Sequence, residues 1–151
     1  MYAQITHLDQ VLNAIDDAKH CFTVKYSDGF VFVKYKDGFV NHAFPPITPS
    51  LSTQERIKYM IRRECRGIAF REKDGKLVIR RFHKFFNLNE RPECNVEAID
   101  FNRKFYCLEK ADGTLISPLE YKGRIRFTSQ LGFSQQSELA DKLMAECATT
   151  H

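Results

Sequence analysis

Apolar positions along this chain change period several times, and each change marks a predicted element. Leu8, Val11, Leu12, Ile15 and Ala18 recur at three- and four-residue steps, a spacing that lays one stripe along a helix of about three turns. Thr6-His7-Leu8-Asp9 stands before them in the T-x-x-D form of a helix start, with Thr6 as the predicted cap. From Cys21 to Phe44 the period falls to two: Phe22, Val24 and Tyr26, then Phe30 and Phe32, then Phe39, separated by Asp28-Gly29 and Asp37-Gly38. Alternation broken by such pairs predicts a three-stranded antiparallel meander. Pro45, Pro46 and Pro49 end it, and Ser52-Thr53-Gln54-Glu55 offers a capping box for a helix carrying Ile57, Met60 and Ile61.

Gly67 to Phe70 and Leu77 to Ile79 flank Asp74-Gly75 and predict a second hairpin, which leads through Phe82 into an exposed-looking loop, Lys84 to Pro92. The adjacent Phe85 and Phe86 in that loop read as a core anchor with a polar rim or as part of a site. Phe105 to Leu108 predicts a strand running into residues 109–117, Arg124 to Thr128 another strand, and Ser134 to Ala148 a closing helix with Leu139, Ala140, Leu143, Met144 and Cys147 on one face. Nothing repeats at a fixed period. Hairpins with flanking helices give an α+β class, a mostly antiparallel sheet with helices packed on it.

Composition supports a packed core: 43% of the 151 residues are hydrophobic and 13% aromatic, enough for one domain spanning 1–151. No apolar run approaches a membrane span and the first residues lack a secretory pattern, so no membrane partner and a cytoplasmic location are expected. The cysteines at 21, 65, 94, 107 and 147 form no CxxC pair, which predicts reduced, mostly buried thiols rather than a disulfide framework or zinc site.

The net charge of +4 is unevenly spread, because residues 56–91 alone hold 12 Lys and Arg against Glu64, Glu72, Asp74 and Glu90. Such a segment suits a polyphosphate or a nucleic-acid backbone, and equally a solvated charged face. Lys110-Ala111-Asp112-Gly113 lies at the end of a predicted strand, where a lysine amine sits beside a tight turn. Cations around such a lysine would lower its pKa and favour the neutral, nucleophilic amine. Turns of this composition are also common without any function.

Three ordered blocks carry a resemblance: Glu64-Cys65-Arg66-Gly67-Ile68-Ala69-Phe70, then Lys84-Phe85-Phe86-Asn87-Leu88-Asn89-Glu90, then Glu109-Lys110-Ala111-Asp112-Gly113-Thr114-Leu115-Ile116-Ser117. Together they resemble phage-type ATP-dependent RNA ligases of the RNA ligase 1 group, most strongly over 64–130. The resemblance implies the amino-terminal part of a covalent nucleotidyltransferase (ligase adenylation) domain. It implies Lys110 as the catalytic nucleophile that takes AMP from ATP, and Arg66, Lys84, Glu109, Asp112 and Gly113 as ATP-binding positions. ATP and Mg2+ are the implied cofactors. The implied partner is RNA with 5′-phosphate and 3′-hydroxyl ends, in the host cytoplasm if the chain is phage-encoded. Phe85, Phe86 and Asn87 resemble the family's loop architecture, with packing the expected job of both rings.

The chain also departs from the family pattern. Later acidic motifs and a K-x-K pair are absent from the 41 residues after Lys110, Gln130 falls where a lysine is expected, and Pro118 interrupts the predicted strand after the nucleophile motif. The chain is therefore expected to be an amino-terminal ligase fragment completed by a separately encoded carboxy-terminal half, or a noncatalytic nucleotide- or RNA-binding remnant.

Overall fold

Phe30-Val31-Phe32-Val33 is an unbroken apolar run because both faces of its strand are covered. In the computed structural model, which describes residues 2–149, this strand lies inside a four-stranded antiparallel sheet. The order is β1 (Phe22–Ser27), β2 (Phe30–Tyr35), β3 (Arg66–Arg71) and β4 (Leu77–Ile79). Asp28 and Gly29 join β1 to β2 with φ of 57° and 80°, the left-handed pair that matches the twist of a two-residue hairpin.

Val31, Val33, Ile68 and Phe70 belong to one core with residues of α1 (Leu8–Ile15), α2 (Val40–Ala43) and α3 (Thr53–Arg62) and with Phe44. Phe30, Phe32, Ala69 and Ile79 belong to a second core, closed by Leu119 of the hairpin β5 (Ser117–Tyr121) and β6 (Arg124–Thr128) and by Leu131 and Phe133. The final helix, α4 (Gln135–Thr149), is tied to β6 by Asp141, which accepts from Phe127 N at 2.8 Å and from Arg126 Nε.

The α+β class and mostly antiparallel pairing hold, while four local expectations are corrected. His7, not Thr6, caps α1: its ring accepts from Asp9 N at 3.3 Å, and Gln10 Oε1 accepts from His7 N at 3.0 Å. The meander has two strands, because β3 occupies the remaining edge of β2, and Phe39 lies in a helical turn, Asp37–Phe39, that continues into α2. Phe105 to Leu108 forms no strand and lies within residues 101–114, which are exposed throughout. Pro118 sits within β5 opposite Phe127; among the described residues β5 pairs with β6 alone, so the missing N–H is tolerated at an edge.

Leu139, Leu143 and Met144 of α4 are exposed rather than packed. Cys21 and Cys65 are buried, but Cys107 and Cys147 are exposed, so burial of the thiols is only partial. Among the described residues no helix is long and apolar enough to cross a membrane.

Candidate phosphate site and nucleophile segment

Much of the basic segment 56–91 serves the fold. Arg62 donates to the Ala14 carbonyl at 2.7 Å and pairs with Asp17, joining α3 to α1. Arg63 pairs with Glu93, Arg71 with Asp74, and Arg80 with Glu64. Arg66, Lys84 and the neighbouring Arg91 have no ion-pair partner among the described residues, as is also true of Arg56, Lys73, Lys76 and Arg81 in the same segment.

Arg66 opens β3, whose pairing with β2 sets it opposite Lys34. Its Nη1 donates to the His83 carbonyl at 3.2 Å, and its guanidinium lies 4.9 Å from the centre of the exposed Phe85 ring. Lys84 comes from the irregular stretch 80–87, fixed by its own N–H donating to the Arg63 carbonyl at 2.8 Å. Its ammonium lies 5.1 Å from the Phe86 ring centre and 5.6 Å from that of Tyr35. Burial lowers the Lys84 pKa; Glu90 and Asp37 oppose the shift, while Arg66 and Arg91 reinforce it. Arg91 is buried, stacks 4.8 Å from the Phe86 centre and donates to Asn41 Oδ1 at 2.9 Å.

The Nε–H groups of Arg66 and Arg91 are buried with no acceptor among the described residues. Three neighbouring cations, none ion-paired among the described residues although Glu90 and Asp37 lie near enough to act on Lys84, and two of them with unspent donors, form an environment that an anion would improve. The donor chemistry thus fits the phosphates of ATP, for which an Arg fork and a Lys point charge are suited. It does not form a metal cage: among the described residues no group of three or more His, Cys, Asp or Glu side chains comes together.

The segment 109–113, expected to hold the nucleophile, has a different character. Lys110 is 77% exposed on its side chain, and its Nζ meets Asp112 Oδ1 at 3.0 Å. Glu109 and Asp112 are exposed, and Gly113 has a φ of 139° with open space beside it. The structure brings Arg66 and Lys84 together and brings Lys110 to Asp112, but no hydrogen bond or ion pair among the described residues joins the two groups. A pocket of about 320 Å³ is lined by Gly113, Thr114, Gln130, Gln136 and Lys34, the last being the strand partner of Arg66; none of Arg66, Lys84 and Lys110 lines it.

No local motif marks Arg91, Tyr35 or the Glu64–His83 contact as belonging to the site. The one sequence signal for them is the density of basic residues between 56 and 91. Phe86 packs on the core near Phe44, as expected for an anchor, whereas Phe85 is exposed beneath Arg66, which corrects the packing expectation for that ring.

Comparison with known proteins bears on the same stretch. The RNA ligase family model matches residues 64–150. The chain is 42% identical over 85 residues, 56% of its length, to a provisionally named RNA ligase of Thermovibrio ammonificans. It is 40% identical over 72 residues, 45% of its length, to RNA ligase 1 of Bacteriophage TS2126. These matches span 22% and 18% of the two relatives, so the chain corresponds to about a fifth of each. Since the family match covers Arg66, Lys84 and Lys110 together and takes in more than half of the residues, the chain belongs to the RNA ligase family.

Proposed function

We propose that this chain carries the nucleotide-activating part of an ATP-dependent RNA ligase. Arg66 and Lys84 hold the β- and γ-phosphates, and Lys110 is the nucleophile. The observation that carries the reading is the juxtaposition of Arg66 with Lys84, neither of them ion-paired among the described residues, both seated on aromatic rings and one with an unspent buried N–H. Positive charge fixed there would stabilise the negative charge that builds on the leaving group.

In the proposed step the neutral Lys110 amine attacks the α-phosphorus. A P–N bond forms, the bond from the α-phosphorus to the α,β-bridging oxygen breaks, pyrophosphate leaves, and the amine proton passes to solvent. The resulting lysine-bound AMP would pass to an RNA 5′-phosphate, from which a 3′-hydroxyl displaces it. Glu109, Asp112 and Gly113 would border the nucleoside, next to the pocket that Gly113 lines. Mg2+, when bound, would supply charge neutralisation on the triphosphate and would be held by the phosphates rather than caged by the described residues. Because Lys110 lies in an exposed segment, closure of that segment over ATP by a carboxy-terminal ligase half is part of the proposal.

The test is incubation of the purified chain with Mg2+ and α-labelled ATP beside the Lys110→Ala variant. Label that survives denaturation on the wild type alone is the expected result. A folded wild type that takes no label, with or without a ligase carboxy-terminal half, overturns the nucleophile assignment. ATP binding unchanged in Lys110→Ala would then leave the noncatalytic binding reading in its place.

A further inference from the structure

Lys84 is presented by a stretch, 80–87, that has neither helix nor strand to hold it. Besides the Arg81 contacts and the Lys84 N–H, a buried carboxylate fastens it. Glu64, 1% exposed on its side chain, receives Arg80 in a two-pronged contact, Nε to Oε2 at 3.0 Å and Nη2 to Oε1 at 2.9 Å. The same Oε1 lies 2.8 Å from His83 Nδ1. Both ends of residues 80–83 are thereby fastened to one buried point just ahead of β3.

His83 in turn faces the phosphate cations through its backbone. Its carbonyl accepts from Arg66 Nη1, and its peptide bond leads directly to Lys84. Arg66 N also donates to the Glu64 carbonyl at 2.7 Å, and Lys84 N to the neighbouring Arg63 carbonyl at 2.8 Å. The two cations are 18 positions apart in sequence, and this short relay links one to the other. A buried carboxylate is costly unless its partners are well placed, and here they are.

We propose that Glu64 and His83 are positioning residues for Arg66 and Lys84, acting through the His83 Nδ1 contact to Glu64 and the His83 carbonyl contact to Arg66. This rests on the reading of Arg66 and Lys84 as the phosphate-holding cations. His83→Ala is the discriminating variant, because it removes the ring while leaving the Arg80–Glu64 fork that anchors the fold. His83→Asn keeps an amide N–H near the place of Nδ1.

The experiment is calorimetric titration of ATP into the folded full chain, wild type beside His83→Ala, His83→Asn and Arg66→Ala, with the thermal midpoint of each recorded. The expected result is ATP binding weakened about tenfold in His83→Ala, the scale of one lost charge-assisted contact, and restored to within about twofold of wild type in His83→Asn. A purely structural contact would lower the thermal midpoint and leave the ATP affinity of the folded protein unchanged. Wild-type affinity in His83→Ala alongside weakened Arg66→Ala overturns the proposal, and so does equal weakening in His83→Ala and His83→Asn. If the wild type does not bind ATP, or Arg66→Ala binds as well as wild type, the phosphate reading itself falls and takes this inference with it.

Discussion

Arg81, two residues past the end of β4, reaches the end of the β5–β6 hairpin, where its Nη2 donates to the Thr128 carbonyl at 3.0 Å and to Thr128 Oγ1 at 2.9 Å. The same nitrogen donates to the Ser129 carbonyl at 2.7 Å, and Nη1 donates to the Gly67 carbonyl. Arg81 is buried without an acidic partner, and desolvation pushes its pKa down to about 10. Neutral oxygens alone therefore replace the water that its charge has lost.

Removing that guanidinium leaves several buried acceptors unpaired. Arg81→Met is expected to destabilise the fold by roughly 3 kcal/mol, since each orphaned acceptor costs on the order of 1 kcal/mol or more. Urea denaturation read by circular dichroism would check this. A loss below about 0.5 kcal/mol, the scale of ordinary surface changes, would mean that the two sheets are held by apolar packing alone.

Gly67 makes the same junction possible. It has a φ of 88°, and a Cβ there would stand 2.6 Å from Gln130 Cα, 2.8 Å from Gln130 O and 2.9 Å from Arg81 Nη1. Two of those atoms are backbone, so they cannot rotate aside. Gly67→Ala is expected to cost roughly 2 kcal/mol or more, combining left-handed strain with a displaced 128–132 turn. Gly38→Ala, where no heavy atom lies within 4 Å, is the control expected to change stability little. Equal thermal midpoints for the two variants would refute the close approach.

These elements also show what was readable from the chain. Ser52 and Glu55 predicted their capping box because both partners sit within four residues, and Ser52 N meets Glu55 Oε2 at 3.0 Å. The Asp74-Gly75 hairpin was visible for the same reason of locality. Phe39 misled because Asp37-Gly38 is a sound turn signal. Whether a strand follows, however, is decided at the edge of β2, which β3 fills from more than 30 residues away. Phe105 to Leu108 has strand composition, yet no sheet edge among the described residues pairs with it. In the candidate site, charge density picked out the region of Arg66 and Lys84, but the Glu64–His83 bond and the burial of Arg91 depend on contacts across 19 and 50 positions that no local pattern encodes.

Acid should weaken the fold through Glu64. Burial alone would raise its carboxyl pKa, but hydrogen bonds from His83 and Arg80 outweigh burial and hold it below the ordinary value of 4.5. A depressed carboxyl contributes stability that is full above that ordinary value and is lost as pH falls through the folded one. Asp17 and Asp74 are shifted the same way, so the total acid loss does not isolate Glu64. The informative quantity is the stability gap between wild type and Glu64→Gln, expected to be widest near neutral pH and to narrow toward pH ~3. A gap independent of pH would show that the charge of Glu64 does not contribute.

The adjacent rings Phe85 and Phe86 should separate binding from stability. Phe86 packs on the core, with its centre 6.2 Å from that of Phe44, and carries Arg63, Lys84 and Arg91 around it. Phe86→Ala is expected to cost roughly 2 kcal/mol of stability, as for a partly buried ring. Phe85 is 58% exposed and touches Arg66 through its face. Losing it forfeits little apolar burial but frees the guanidinium, a contact worth about 0.5–1 kcal/mol at an exposed site. Phe85→Ala should therefore leave the thermal midpoint within a degree or two, given the few degrees expected per kcal/mol. Its ATP affinity should fall about two- to fivefold, the binding equivalent of that contact. Phe85→Tyr, which keeps a ring face beneath Arg66, should bind as the wild type does. If Phe85→Ala instead lost stability as Phe86→Ala does, both rings would be core anchors and the aromatic support of Arg66 would have no separate role.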